Sequence, residues 1–512
     1  MNLFSVAFSL FVTVLFILYY TVFRKKQWIC LLLFSIAFYA YSGIANLIFM
    51  AITGFSVFAG GIWLMHFSEK YQEIRKDKSI DRARRKEIKA AFDRKRKIIL
   101  WTIIVINFGM LAVLKYLHPL FEGFLIPLGI SFYMFISIGY LVDIYFEKYE
   151  AEKNPFRFLL FVSFFPQLIQ GPINRYDQMK EQLYGRHALE WHRCKRALVL
   201  ILFGLLKKYA IANLLVHGIA NILDAPTEKT PGSAIVFAIL LYSAQQYADF
   251  SGGIDIVMGV AELFGIEMMP NFRQPYFSVS LGDFWRRWHI SLGAWMRDYV
   301  FYPFALTAPM QKFGKWAKKH LNVHFGRVLP ASIANILVFF LVGIWHGAQW
   351  HFIFWGLYNG IVIAVSDICA PLFAKMAERL HINVKSKAFH VFRIIRTFII
   401  VNIGWYFDRI YNIKDCFMCM KNTIIHFRMG ELYGILEPTF KEVPKKAYII
   451  AIVALVIVFA DSVVKEKGKD AITLLDERPL VLRWLIYFLM IFLVLASFNF
   501  AVGAGGFMYA NY

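Results

Sequence analysis

Cysteine is scarce: five in 512 residues, at positions 30, 194, 369, 416 and 419. Only Cys416-Phe417-Met418-Cys419 forms a C-x-x-C, and it lacks a second pair for zinc and a βαβ context for redox chemistry. No H-E-x-x-H, cysteine–histidine metal spacing, Walker loop or G-x-S-x-G occurs, which disfavours metal, ATP and serine-hydrolase chemistry. Internal repeats, low-complexity tracts and a recognisable soluble domain are also missing. Acidic residues are few, 34 against 56 Lys+Arg, for a formal charge of +22. Such a surplus can mark a nucleic-acid binder. Here the cations sit in short segments between apolar runs, as membrane orientation requires, so no nucleic-acid partner is expected.

What is present is apolar surface. With 59% hydrophobic and 18% aromatic residues and a mean hydropathy of +0.53, the chain is not an ordinary water-soluble globule. Apolar runs of about 20 residues, the length needed to cross about 30 Å of hydrocarbon, recur throughout. The expected class is an all-α polytopic transmembrane bundle in the cell membrane, in contact with lipid. Leu3 to Val22, without a basic leader or a small-residue cleavage site, reads as a retained helix. Trp28 to Tyr41 and Ile44 to Met65 follow. Residues 66–97 carry 13 Lys+Arg against 6 Asp+Glu and read as a cytoplasmic loop with a surface helix. This divides the chain into an N-terminal part, 1–97, and a single membrane unit, 98–512.

Further along, Pro127 and Gly129 should break the helix running from Phe121 to Phe146. Phe158 to Ile173 holds Pro166, Gly171 and Pro172, and six basic residues follow between 174 and 196. It reads as a re-entrant element buried in protein, since broken backbone cannot face lipid. Ala197 to Ala220 and Ile235 to Gly265 form two passages. The second carries Gln245, Gln246, Asp249, Ser251 and Asp255 as a candidate pocket wall. Residues 270–309 should be short helices, 311–327 a cytoplasmic basic loop, and Ile333 to Gly347 an outward passage with His346 late in it. Phe352 to Val365, Val391 to Trp405, Ala447 to Ala460 and Trp484 to Phe500 complete the spans.

Two stretches carry the chemistry. Asp283 to Asp298, D-F-W-R-R-W-H-I-S-L-G-A-W-M-R-D, crowds Arg286, Arg287, Arg297, Asp283, Asp298 and His289 among aromatics. Gly343 to Gly356, G-I-W-H-G-A-Q-W-H-F-I-F-W-G, sets His346 in an apolar run. Ionisable groups at membrane depth are tolerated where they pair or line a cavity, which makes both stretches functional candidates.

Together with P-L-G-I-S-F-Y (127–133) and F-P-Q-L-I-Q-G-P-I-N-R-Y (165–176), these stretches resemble the membrane-bound O-acyltransferase family, and within it the alginate and cell-wall polysaccharide O-acetyltransferases. The resemblance implies that His346 of W-H-G is catalytic and that His289 is a second functional histidine. It implies a central acyl-transfer tunnel, a cytoplasmic thioester co-substrate (acetyl-CoA or an acyl carrier) with no resident cofactor, and an extracytoplasmic polysaccharide acceptor reached through a partner protein. Acyl transfer from a thioester to a hydroxyl needs a base, oxyanion donors and a dry site, and an imidazole suits the first role. Arg286, Arg287, Trp288, Trp345, Asp249 and Asn359 are the accompanying substrate-binding candidates. D-alanyl transfer to teichoic acid and a non-enzymatic transporter lined by the same charges are the alternatives.

Overall fold

A computed structural model describes residues 5–77, 79–116, 127, 129–442 and 444–500. Helices are the only regular elements among the described residues, apart from one isolated antiparallel bridge between Phe272 and Trp288. Eight helices among them are long and apolar enough to cross a membrane. The protein is therefore an all-α, multi-pass membrane protein. It divides into two compact units, residues 1–198 with 257–269, and residues 199–256 with 270–512. The expected division at 97/98 falls inside a continuous helix.

The first unit begins with α1 (Val6–Tyr20), α2 (Gln27–Tyr41), α3 (Asn46–Lys76) and α4 (Arg82–Tyr116). Among the described residues no separate surface helix lies over 66–97: α3 extends into the basic stretch as far as Lys76, and α4 begins at Arg82. Lys, Arg, Glu and Ala are strong helix formers, so helix continues where the apolar run stops. At 1.5 Å per residue α4 is about 50 Å long, about 20 Å more than the hydrocarbon layer, which leaves its charged half in water. Helix α5 (Ile130–Tyr145) starts at the expected break. Gly129 adopts φ +65, and a Cβ there would lie 2.2 Å from the Leu168 carbonyl oxygen, so both conformation and space require glycine. Residues 121–126 of that expected helix lie outside the described residues.

Helices α6 (Pro155–Ser163), α7 (Phe165–Ile169) and α8 (Tyr176–Tyr184) follow. The 158–173 element is broken at Phe164 and enclosed by protein, with Phe158, Phe161, Phe164, Phe165 and Leu168 buried. Gln167 donates to the Phe161 carbonyl and accepts from Asn174 Nδ2 at 3.2 Å, while Asn174 Oδ1 accepts from the Met269 N–H at 2.9 Å. These side chains satisfy backbone that a continuous helix would satisfy by itself. Labelling with a membrane-impermeant thiol reagent in intact cells tests its topology: Lys180→Cys and Lys86→Cys are both expected to be protected. Reaction at 180 with 86 protected would make 158–173 a crossing.

Helix α9 (Trp191–Leu205) continues through a π-helical segment, Leu206–Ala212, into α10 (Asn213–Leu223). Helix α11 (Gly232–Leu263) is 32 residues long yet is not one of the eight candidate spans. Gln245, Gln246 and Asp249 dilute its apolar run. The second unit then has the expected short helices, α12 (Leu281–Arg287), α13 (Ile290–Met296) and α14 (Tyr302–Ala305). Next come α15 (Ala308–His320), α16 (Val323–His346), α17 (Trp350–Ile368), α18 (Ala370–Arg379) and α19 (Lys387–Arg409). The chain ends with α20 (Ile413–Ile425), α21 (Leu432–Glu442), α22 (Lys445–Glu466), α23 (Ala471–Asp476) and α24 (Leu480–Ser497). Cys416 and Cys419 are free and buried on α20, where burial pushes both thiols up to about 12, and such thiols stay protonated and inert.

Candidate active site

The W-H-G turn ends α16. A Cβ on Gly343 would lie 2.5 Å from the Phe352 carbonyl oxygen, and one on Gly356 2.3 Å from that of Phe339. The missing side chains let α16 and α17 approach closely one turn before His346, as small residues do between membrane helices. The His346 ring is thereby pressed into an aromatic layer. It stacks on Phe352 (centroids 5.8 Å, 24°), meets Trp355 edge-on (5.1 Å, 77°) and touches Trp345 (4.8 Å). His346 is 6% exposed. Gly347 is extended, so its requirement is spatial: a Cβ would come 2.7 Å from the Phe352 ring that covers His346.

His289 is set by a different device. It occupies the left-handed region, φ +50, between α12 and α13, which costs a non-glycine residue about 1–3 kcal/mol and persists only where its surroundings over-determine it. Asn271 does this. The Asn271 side-chain oxygen accepts from Ser291 N–H (3.1 Å), Ser291 Oγ (2.9 Å) and His289 Nδ1 (3.2 Å), and the Asn271 backbone carbonyl takes the Ile290 N–H (3.0 Å). Because a backbone N–H identifies that oxygen as an acceptor, His289 Nδ1 must be the protonated nitrogen, and the lone pair of the neutral ring lies on Nε2. Phe250 meets the ring edge-on at 4.9 Å. Burial disfavours the charged imidazolium, so the resting His289 ring is held in its neutral form. Asn271→Ala should cost about 2–3 kcal/mol, since it leaves buried donors unmatched, and it should release the strained turn. Thermal unfolding of purified protein checks the first effect.

Contiguous aromatic contacts connect the two histidines. From His346 they run through Trp355, Trp285 (5.3 Å from Trp355), Phe284 (5.2 Å), Trp288 (5.4 Å) and Phe250 (6.3 Å) to His289. Asn359 braces this layer: its oxygen accepts from Trp285 Nε1 at 2.9 Å and its amide donates to the Trp355 carbonyl at 2.8 Å. The residues that position the histidines, namely Asn271, Phe250, Trp285, Phe352 and Trp355, were not among the sequence candidates. Aromatic residues are so common in this chain that none stands out by type.

The other candidates separate. Trp288 is buried, packed face to face on Phe284 and against Trp405, and Trp345 is buried beside His346. Arg287 bridges Asp283 (3.2 Å) and Glu466 (2.7 Å), tying α12 to α22. The Arg286 side chain is 72% exposed and leans on Asp283 at 3.5 Å, outside the buried layer. Asp249 is ion-paired with Lys208 of the π-helical segment, and neighbouring Lys207 pairs with Asp255 at 2.6 Å. The polar stretch of α11 thus engages two lysines in an otherwise apolar helix. A cavity of about 410 Å³ among α11, α19 and α20, lined by Val236, Ile239, Ile403, Tyr406 and Met420, touches neither histidine.

The sequence model of the membrane-bound O-acyltransferase family matches residues 151–313 and 311–404, which include both histidines. A probable alginate O-acetylase of Pseudomonas syringae pv. tomato is 36% identical over 291 residues, 56% of this chain and 50% of that protein. A peptidoglycan O-acetyltransferase of Helicobacter pylori is 29% identical over 369 residues, 64% of each chain. A teichoic acid D-alanyltransferase of Bacillus subtilis is 28% identical over 285 residues, 54% of this chain and 67% of that protein. The chain spans about half the length of the alginate relatives it matches.

Proposed function

The chain belongs to the membrane-bound O-acyltransferase family, and from that premise we propose that it is an O-acetyltransferase acting on a cell-envelope polysaccharide. In this reading a cytoplasmic thioester, acetyl-CoA or an acyl carrier, supplies the acetyl group. The acceptor is a hydroxyl of an extracytoplasmic polysaccharide or of a partner protein that passes the group on. The observation that carries the proposal is the buried His346 at the end of the glycine-apposed α16–α17 pair, in the W-H-G turn of a chain of this family.

His346 takes the acceptor hydroxyl proton as the oxygen attacks the thioester carbonyl carbon. A C–O bond forms, the C–S bond breaks, and the proton passes from the imidazolium to the departing sulfur, so the ring is neutral again at the end of the cycle. The aromatic layer keeps water from competing for the acyl group. His289, neutral and held by Asn271, orients the donor or handles a second proton. A tunnel walled by the two histidine stretches would let an inside donor meet an outside acceptor.

Acetyl is favoured over D-alanyl because the O-acetyl relatives match at higher identity or over more of this chain. The deciding experiment measures ester-linked acetate and ester-linked D-alanine on the envelope of cells with and without this protein. Acetate that depends on the protein is expected. Dependence of D-alanine alone would transfer the chain to the teichoic acid branch, and dependence of neither would favour the transporter reading.

A further inference from the structure

Two short helices flank the α16–α17 pair and play no part in the chemistry above. Helix α15 leads into α16 and α18 follows α17, and His324 Nε2–H donates to the Ile368 carbonyl at 3.3 Å, so both lie at the same end of that pair. At about 100° per residue, α15 sorts its side chains sharply. Lys312, Lys315, Lys318 and Lys319 share one side, all exposed, Phe313 and Ala317 lie on the other, and Trp316 sits at the boundary beside Lys312. Phe313 and Trp316 stack at 5.9 Å, and Trp316 is still 52% exposed.

Helix α18 repeats the pattern. Leu372, Phe373, Met376 and Leu380 form one exposed apolar side, Lys375 and Arg379 border it, and Glu378 lies opposite. No acid occurs from Ala308 to Arg327.

We infer that α15 and α18 form an interfacial collar that binds the anionic phospholipid headgroups of one leaflet. The spanning helices α16 and α17 start and stop at these helices, which puts them at the depth where acyl chains give way to headgroups. Aromatic and aliphatic side chains are stable there when buried at the acyl boundary, and lysine ammonium groups reach outward to phosphate. Six cations against one acid distinguish anionic from zwitterionic lipid. An acidic soluble protein would satisfy the lysines and leave the apolar side of α18 in water, so lipid is the better fit.

The test uses the full-length chain in phosphatidylcholine nanodiscs, with Trp316→Cys carrying an environment-sensitive fluorophore. Headgroup spin-labelled phosphatidylglycerol should quench it about fivefold to tenfold more than spin-labelled phosphatidylcholine, since each cation near the surface favours anionic lipid. That excess should vanish when Lys312, Lys315, Lys318, Lys319, Lys375 and Arg379 are replaced by Gln, and persist when the lysines become Arg. Should the Gln set fail to fold, the Trp316→Cys protein decides by itself, because high salt must abolish the excess. Equal quenching by both lipids, quenching only by a water-soluble reagent, or protection by an acidic polypeptide but not by lipid would overturn the inference.

Discussion

In cells carrying His346→Gln, envelope acetate esters fall to the level of cells lacking the protein, with the protein present at wild-type abundance. Removing a general base costs roughly 10²- to 10⁴-fold in rate, and His346→Ala should lose as much. Glutamine separates proton transfer from packing. It fills similar space and can hydrogen-bond between Phe352 and Trp355, so a histidine that merely packs would tolerate it, but it cannot accept the hydroxyl proton. In single-turnover measurements the loss should appear in the transfer step, with donor binding nearly unchanged. Normal ester levels in a well-expressed His346→Gln strain would remove the general-base role and leave His289 as the remaining histidine candidate. His289→Ala should give a graded loss, because Asn271, Phe250 and Trp288 still define its pocket.

The second large effect concerns stability. Lys208 and Asp249 are 5% and 2% exposed at their side chains, and each stands opposite the other's charge, beside the Lys207–Asp255 pair. Asp249→Leu should destabilise the protein by about 3–5 kcal/mol, because a buried ammonium group loses the carboxylate it is paired with. That is a large part of the stability of a typical domain, so the variant should fall sharply in membrane abundance. Lys208→Met should do the same from the other side. Together the two substitutions should recover most of the loss, since an apolar pair of similar volume has no charge to desolvate. Abundance and thermal unfolding of the two single variants and the double variant form the test. A double variant as poor as the worse single one would show that this pair does more than compensate charge. Asp249 also precedes Phe250, which packs on His289, so the double variant's acetylation reports whether the π-helical segment matters to the site beyond holding it together.

The amino-acid sequence by itself determined the membrane class, most of the spans, the helix break before Ile130 and the two histidine stretches. The reasons are local. A bilayer demands about 20 apolar residues per crossing, glycine and proline punctuate helices wherever they occur, and W-H-G and R-R-W-H-I-S are contiguous. Even the expectation that 158–173 is broken and enclosed follows from Pro166, Gly171 and Pro172 in an apolar run. Local signals failed where helix propensity outlasted hydrophobicity, so that α3 and α4 continue through charged residues for which a separate surface helix was expected.

Only the tertiary structure decided which groups meet. Lys208 reaches Asp249 across 41 positions and Asn271 holds His289 across 18, and neither partner is marked by spacing or periodicity. The π-helical segment that presents Lys207 and Lys208 has no composition of its own. Contacts through Trp355, Trp285, Phe284, Trp288 and Phe250 draw on helices α11, α12 and α17 and the residue that follows α12. In a chain with 52 phenylalanines and 13 tryptophans, packing alone selects which rings connect His346 to His289. Arg286 and Arg287 are adjacent and alike in sequence, yet one faces solvent and the other bridges two acids, because α12 turns about 100° between them.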